Sequence, residues 1–318
     1  MTQTACSILT LTLNPSLDVS TRTDQVIPGP KLRCAKPRLD PGGGGINVSR
    51  AIRALGGESL ALVARGGSTG LQLDHLLRAE GLRQLTFDTP GETRQSLAVT
   101  ETATGQQFRF VLPGAAWTAA MVNAVMALTL KHAPDQGFVV ISGSQPPGVP
   151  DDFPRHLAAG LAGRGQLVVD TSGTTLAALA TAPVPGLSVL RMDSEEAEAI
   201  AKRPLPTRKE SADFAESLVL RGIADCVIVA RGADGSVLAE TGQRLFCAAA
   251  KVPVKSKIGA GDSFVAAFVM ARSEGADSAE ALARGVAAAS AAVMTEATAL
   301  CRRIDAERLI SKCPVTPI

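Results

Sequence analysis

Two runs, Val139–Ser142 and Leu167–Asp170, are almost wholly apolar and end in a polar residue; Ser188–Leu190 and Cys226–Val229 look similar. A run this short with no polar face suits a strand covered on both sides, as in a parallel sheet beneath helices. Cys6–Leu13 is a fifth such run, apolar and β-branched, and Asn14-Pro15 stops it. Between these runs, apolar residues recur at helical spacing in Ile46–Leu55, Leu71–Glu80, Ala119–Leu128, Asp213–Leu220 and Ser263–Ala271. Ala279–Met294 is Ala-rich and apolar on more than one face, which predicts a buried helix. Strand-helix alternation over most of the chain predicts an α/β fold with a parallel sheet. Only 3% of residues are aromatic, with one Trp and no Tyr, so the core is built from Ala, Val, Leu and Ile.

Two regions break the rhythm. Val19–Leu39 alternates without a helical pattern, and Gln95–Thr102 and Gln107–Leu112 read as two strands around the turn Thr104-Gly105. Both suit a small accessory sheet above the main one. The chain has 318 residues, 46% hydrophobic, and contains no internal repeat, low-complexity tract or linker. One compact unit with a lid is expected.

Composition excludes several classes. The formal net charge is +2 and the basic residues are scattered, which argues against nucleic acid and anionic membranes as partners. Few aromatics leave little for base stacking. The six Cys show no CxxC or zinc-finger spacing, so they read as reduced thiols in a cytoplasmic protein. The N-terminal Met1-Thr2-Gln3-Thr4 has no basic leader, and no apolar stretch is long enough to span a bilayer.

Chemistry is signalled first by Ile258-Gly259-Ala260-Gly261-Asp262-Ser263-Phe264 ahead of an apolar helix. Glycines at a helix start let backbone N–H groups converge on an anion, and the helix dipole favours negative charge there. Asp262, in the first turn, is placed either to take a proton from an attacking hydroxyl or merely to cap the helix. The second signal is Pro41-Gly42-Gly43-Gly44-Gly45-Ile46-Asn47-Val48. Four consecutive glycines make sense where backbone lies against a ligand whose hydroxyls Asn47 can bond; a flexible turn is the alternative. Neither run is a Walker A loop or a dinucleotide fingerprint, which disfavours P-loop ATPases and dehydrogenases.

Other candidates are single residues. Asp18 follows the Asn14-Pro15 stop, Lys31 and Arg33 lie in the expected lid, and Arg94 opens its second segment. Arg191-Met192-Asp193-Ser194-Glu195-Glu196 ends a strand in acids that either hold Mg²⁺ through water or start a helix with Asp193 or Ser194 as N-cap. His75, His132 and His156 have no partner pattern, and Trp117 reads as packing.

Taken in order, these segments resemble the ribokinase-like, phosphofructokinase-B family of sugar kinases, and within it the minor 6-phosphofructokinase type. The matching segments are Leu11–Asp18 (LTLNPSLD), Lys31–Cys34 (KLRC), Pro41–Asn47 (PGGGGIN), Thr93–Gln95 (TRQ), Phe108–Gly114 (FRFVLPG), Ile141–Gly148 (ISGSQPPG) and Val254–Ser263 (VKSKIGAGDS). The resemblance implies a three-layer α/β fold with a central, mostly parallel sheet and a small β-sheet lid. The core would be 1–14, 41–91 and 114–318 and the lid 15–40 and 92–113, with lids pairing in a homodimer. It implies that Asp262 is the general base and that the N–H groups of Gly259, Ala260, Gly261 and Asp262 form the anion hole. Asp18, Gly42, Gly43 and Asn47 would contact the sugar, and Lys31, Arg94 and Ser144 its phosphate. ATP would lie near Arg191, Asp193, Arg231, Gly232, Gly235 and Gly261. Mg²⁺ would be held through water by Glu196 and Asp193, and a K⁺ site would take in Ser256, Ile258 and Ala292.

The chain departs from the family on the nucleotide side. Asp193 stands for the usual Asn, Ala230-Arg231-Gly232 lacks a Ser/Thr, and Thr295–Ala299 (TEATA) lacks the Asn, Gly and Arg of the relatives' cation loop. The leading expectation is ATP-dependent phosphorylation of fructose 6-phosphate to fructose 1,6-bisphosphate. Rivals are tagatose-6-phosphate or fructose-1-phosphate kinase and, in another class, a non-catalytic sugar-phosphate sensor.

Overall fold

The computed structural model describes residues 7–296 and 298–318. Cys6, at the start of the expected strand Cys6–Leu13, and Ala297, within the expected cation loop, lie outside the described residues. The chain begins β1 (Ile8–Thr12), β2 (Ser16–Thr23), β3 (Arg38–Gly42), α1 (Gly44–Ala54), β4 (Leu60–Arg65), α2 (Gly67–Ala79), β5 (Arg83–Asp88), β6 (Arg94–Glu101) and β7 (Gln107–Val111). It continues with α3 (Ala119–His132), β8 (Phe138–Ser142), α4 (Phe153–Leu161), β9 (Gln166–Asp170), α5 (Gly173–Leu179), β10 (Leu187–Asp193), α6 (Ser194–Ala201), α7 (Arg208–Leu220) and β11 (Cys226–Ala230). It ends with β12 (Gly235–Glu240), β13 (Gln243–Ala248), α8 (Ala260–Ser273), α9 (Ser278–Ala292), α10 (Arg303–Ile310) and β14 (Val315–Pro317).

Ten strands form the main sheet in the order β14-β13-β12-β11-β10-β9-β8-β1-β4-β5. From β5 to β11 every neighbour is parallel; β12, β13 and β14 add on antiparallel. Strand order reverses between β1 and β8, the crevice where ligands sit in open α/β sheets. The four remaining strands form a second sheet, β3-β2-β6-β7, in which β2 and β6 are parallel.

Alternate strand residues face opposite layers. Leu9, Leu11, Val139, Ile141, Leu167 and Val169 pack into one core, and Ile8, Phe138, Val140 and Val168 into the other. Fully burying a Leu, Val or Phe side chain stabilises by ~1.5–3 kcal/mol, so both faces must be covered. Helices α1, α8, α9 and α10 cover the second face, and the small residues of α9 let it approach α8 closely, with Gly285 against the Phe264 ring. Trp117 is buried against Phe87, ring centroids 5.4 Å apart. Among the described residues, Cys226, Cys247, Cys301 and Cys313 are buried free thiols and Cys34 is exposed.

The glycine run has an internal cause. A methyl on Gly44 would lie 2.3 Å from Ser142 Oγ and 2.6 Å from Gly143 N, at the end of β8. Gly43 adopts φ +120° and sits on Thr12 and Pro15. Helix α1 therefore begins at Gly44 rather than at the expected Ile46, with its N-terminus wedged into the β1/β8 crevice. A buried hydroxyl chain, Thr10–Ser49 and Ser59–Ser49, each 2.8 Å, fastens α1 to the sheet. The run is neither a flexible turn nor glycine-rich for the ligand's sake alone.

Candidate active site

The C-terminal ends of β8, β9 and β10 and the N-termini of α1 and α8 enclose a cleft of about 290 Å³. Its lining includes Gly44, Ser142, Asp170, Arg191, Asp193, Glu196, Gly261 and Asp262. Every parallel strand ending here contributes a polar side chain, since the strand interior is committed to the core.

Asp262 is the third residue of α8, whose N-cap is Gly259 at φ +73° with no side-chain cap. Its carboxylate turns away from its own helix. Asn47 Nδ2 donates to Oδ2 at 3.0 Å, and Ser142 Oγ donates to Oδ1 at 3.4 Å. Arg50 donates to Asn47 Oδ1 at 3.3 Å, which orients the Asn47 amide with its NH₂ toward Asp262. The capping alternative for Asp262 is thus not the observed geometry. Burial, then the nearby Asp170 charge, push the Asp262 carboxyl up to about 7; Asn47, Arg191 and Ser142 pull the other way. A carboxylate near neutrality is suited to general-base work. The first-turn amides of α8, including those of Gly261 and Asp262, have no intrahelical acceptor by helix geometry.

Arg191 is the cation of the cleft. Its Nη1 donates to Asp170 Oδ1 at 2.8 Å, and its Cζ lies 5.4 Å from the centroid of the Phe264 ring. Its guanidinium would be 3.2 Å from a methyl on Gly261, so glycine there admits the cation against the backbone. Nε is buried with no partner. Burial works to lower this guanidinium, but the carboxylates of Asp170, Asp262 and Glu196 outweigh it.

Asp193 and Glu196 form a reciprocal capping box on α6, each accepting the other's amide at 2.9 Å. The helix-start alternative is therefore realised, and one oxygen of each carboxylate remains for other bonds. Burial raises the Glu196 carboxyl, and Asp193 and Asp170 add to the rise. Among the described residues no cluster of three or more acids, His or Cys makes a metal cage. The excess of carboxylate charge over Arg191 fits a hard cation that keeps waters and takes phosphate oxygens, as Mg²⁺ does.

Other expected site residues fall elsewhere. Asp18, on β2, is half-buried against Gly42, where a methyl would lie 2.5 Å from its carboxylate, and it accepts from Ser16 Oγ at 2.6 Å. Burial raises the Asp18 carboxyl, Ser16, Arg94 and Arg109 lower it, and Asp40 opposite raises it. Arg94 donates to the Asn14 carbonyl at 3.1 and 3.2 Å, and Asn14 Nδ2 donates to Ser144 Oγ at 3.1 Å. Lys31 is exposed between β2 and β3.

Several of the expected nucleotide-side and K⁺-side residues have structural commitments of their own. Arg231 spends its nitrogens on Asp234, the Leu205 and Pro206 carbonyls and Ser211, and it does not line the cleft. Gly232 and Gly235 belong to the β11–β12 turn; a methyl on Gly235 would lie 2.0 Å from the Cys247 carbonyl, a sheet constraint. The Ala292 carbonyl accepts from Thr295 N at 3.0 Å, and the single Thr295 hydroxyl proton is shared between the Ala292 and Ala299 carbonyls at 2.7 and 2.6 Å, so Ala292 keeps acceptor capacity on the expected K⁺ side with Ser256 and Ile258.

Asp170 and Ser142 were not singled out from sequence. The available signal was their place as the polar last residue of a buried strand.

A doubly wound sheet with an acid-lined cleft, a buried carboxyl raised toward neutrality and a helix N-terminus at its switch point fits a class, the small-molecule phosphotransferases. The chain belongs to the pfkB family of carbohydrate kinases, whose model matches residues 13–305. It is 38% identical over 303 residues to the ATP-dependent 6-phosphofructokinase isozyme 2 of Mycobacterium tuberculosis, covering 95% of this chain and 88% of that one. To the isozyme 2 of Escherichia coli it is 36% identical, covering 95% and 97%. The crystal structure of E. coli phosphofructokinase-2 with potassium superimposes with a TM-score of 0.89 at 35% identity, covering 96% and 99%. A 1-phosphofructokinase of Xanthomonas campestris is 31% identical, covering 87% of each chain. The protein is an ATP-dependent sugar kinase. Among the described residues no helix is long and apolar enough to cross a membrane.

Proposed function

We propose that the protein phosphorylates a phosphorylated ketohexose at C1, with fructose 6-phosphate as the preferred acceptor and fructose 1,6-bisphosphate as product. The carrying observation is Asp262, raised to about 7 and held by Asn47 and Ser142 beside Arg191 and a helix N-terminus. The Asp262 carboxylate accepts the acceptor hydroxyl's proton. That oxygen bonds to the γ-phosphorus as the bond to the bridging oxygen of ATP breaks, and ADP departs. Charge spreading over the transferring group meets the α8 amides and Arg191, which are fixed before the reaction. Glu196, with Asp193, would hold Mg²⁺ through water, supplying charge neutralisation between the phosphates. Asp18, Gly42, Gly43 and Asn47 orient the sugar. Lys31, Arg94 and Ser144 receive its phosphate, and a bidentate arginine suits that anion.

The segments 15–40 and 92–113 act as a lid on the core. Their sheet exposes Leu97 and its cross-strand partner Phe110 on one face, an apolar pair that supports pairing with a second copy. The E. coli phosphofructokinase-2 has been solved with fructose 6-phosphate and in a tetrameric inhibited form, and homodimeric assembly through the lid is our reading for this chain. Free buried thiols are in keeping with a cytoplasmic setting. The departures at Asp193 and Ala230 favoured a non-catalytic sensor; Asp193 caps α6 as an Asn would, and the buried Asp262 with its helix N-terminus supports the catalytic reading. ADP release with Mg²⁺ and ATP across fructose 6-phosphate, tagatose 6-phosphate, fructose 1-phosphate and fructose tests the assignment. Fructose 6-phosphate is expected to lead; faster turnover of either rival phosphate would replace it.

A further inference from the structure

The chain passes between the two sheets four times, and three of the crossings meet at one side chain. The first runs Leu13–Pro15 from β1 to β2, the second Thr89–Thr93 from β5 to β6, and the third leaves β7 at Leu112. Arg94 Nε and Nη2 hold the carbonyl of Asn14, in the first crossing, at 3.2 and 3.1 Å. Its Nη1 reaches the carbonyl of Leu112, in the third, at 3.5 Å. Arg94 itself opens β6, directly after the second. The fourth crossing, Gly43, packs against Pro15 of the first.

A latch needs a fixed post, and residues 92–93 supply one. The Glu92 carboxylate accepts the amides of Ser68 at 3.1 Å and Thr69 at 2.8 Å, at the positive end of α2. Glycine at 67 leaves room for it, since a methyl there would lie 2.2 Å from the carboxylate. Thr93 closes the clip: its Oγ1 accepts from Gly66 N at 3.0 Å, and its N donates to Gly66 O at 2.9 Å. The backbone of Arg94 is thus anchored to the core while its guanidinium grips both lid ends. The crevice there is about 20 Å³, room for roughly one water.

We infer that Arg94 is a phosphate-released latch: in the ligand-free protein it ties the lid crossings to the core, and the sugar's phosphate draws its guanidinium off the two carbonyls. This rests on the reading that Arg94 receives the substrate's phosphate. It explains how a sugar that lacks a phosphate is discriminated against. A charged phosphate competes for the guanidinium far better than neutral carbonyls do, whereas a hydroxyl does not. The lid then moves only for a phosphorylated acceptor. Glu92 is a positioning residue in this scheme, acting through Arg94.

Hydrogen exchange by mass spectrometry separates this from a simple phosphate contact. In the ligand-free protein, Arg94→Met is expected to speed exchange in residues 14–17 and 110–116 by about tenfold, the worth of a charged hydrogen bond. Glu92→Ala, which leaves the guanidinium intact, is expected to do the same. In the parent, fructose 6-phosphate is expected to alter exchange in these segments and fructose is not. Unchanged ligand-free exchange in both variants overturns the latch even if Arg94→Met raises KM. Equal responses to fructose and fructose 6-phosphate overturn its release by phosphate. The ligand-free result does not depend on which sugar is the substrate, so a wrong acceptor would appear separately, as absent turnover in the parent.

Discussion

Replacing Asp262 by Asn probes the site through stability as well as rate. The carboxyl rises from 3.8 to about 7, chiefly through burial and then through Asp170. Between those values the folded chain holds a proton that the unfolded chain has released. Stability therefore falls as pH rises from about 4 to about 7 and is lowest above that range. A carboxyl raised this far costs ~4 kcal/mol at pH 8. Asn carries no charge and escapes the cost. Urea unfolding is expected to show Asp262→Asn more stable than the parent at pH 8, with the gap roughly halved at pH 5.5. Its turnover is expected to fall by about 10²–10⁴, the usual worth of a positioned base, while sugar-phosphate binding persists. In the parent, kcat should decline below about pH 7, as the base becomes protonated. A variant no more stable than the parent at pH 8, or a gap that does not shrink on acidification, would refute the raised carboxyl. A residual rate within about tenfold of the parent would place the base elsewhere.

Three further substitutions bear on neighbouring claims. Asp170→Asn removes a charge that raises Asp262, so the acid limb of the pH–rate profile should move to lower pH; it also unpairs Arg191, at a cost of ~3 kcal/mol measured by unfolding. An unmoved limb would mean that Asp170 does not tune the base. Gly44→Ala puts a methyl against the backbone of Ser142 and Gly143 and should destabilise by ~1–3 kcal/mol, lowering kcat because α1 carries Asn47. Arg231→Met should destabilise by ~1–3 kcal/mol through the unpaired Leu205 and Pro206 carbonyls and Asp234, yet leave KM for ATP within about twofold. A large rise in that KM would return Arg231 to the nucleotide site.

The strands legible in the sequence were those covered on both faces, such as Phe138–Ser142 and Gln166–Asp170, because nothing polar interrupts them. Strand β5, RQLTFD, escaped notice because it is a half-buried edge with polar residues throughout. The hairpin β12–β13 turns at Thr241-Gly242, a local two-residue signal, but its addition to the edge of the parallel sheet through β11 is a tertiary fact. Helices α1 and α8 start earlier than their apolar periodicity, because Gly44 and Gly45, and Ala260, Gly261 and Asp262, present no apolar side chain of any size. At the site, Asp262 and Asn47 were recognisable by their motifs, although they lie 215 residues apart and only the fold joins them. Asp193 was legible as both a cap and a metal residue, and the structure makes it a cap at the edge of the cleft. The commitment of Arg231 is not legible, since three of its partners, the Leu205 and Pro206 carbonyls and Ser211, lie 20 or more residues away in sequence.

The central claim is that the cleft around Asp262 moves a phosphoryl group from ATP to the free C1 hydroxyl of a sugar that already carries a phosphate. Phosphorus NMR of the parent enzyme with ATP, Mg²⁺ and fructose 6-phosphate tests it directly. One fructose 1,6-bisphosphate is expected for each ADP formed, with neither product appearing for Asp262→Asn on the same timescale. ADP without bisphosphate, or bound sugar phosphate without either product, would contradict it.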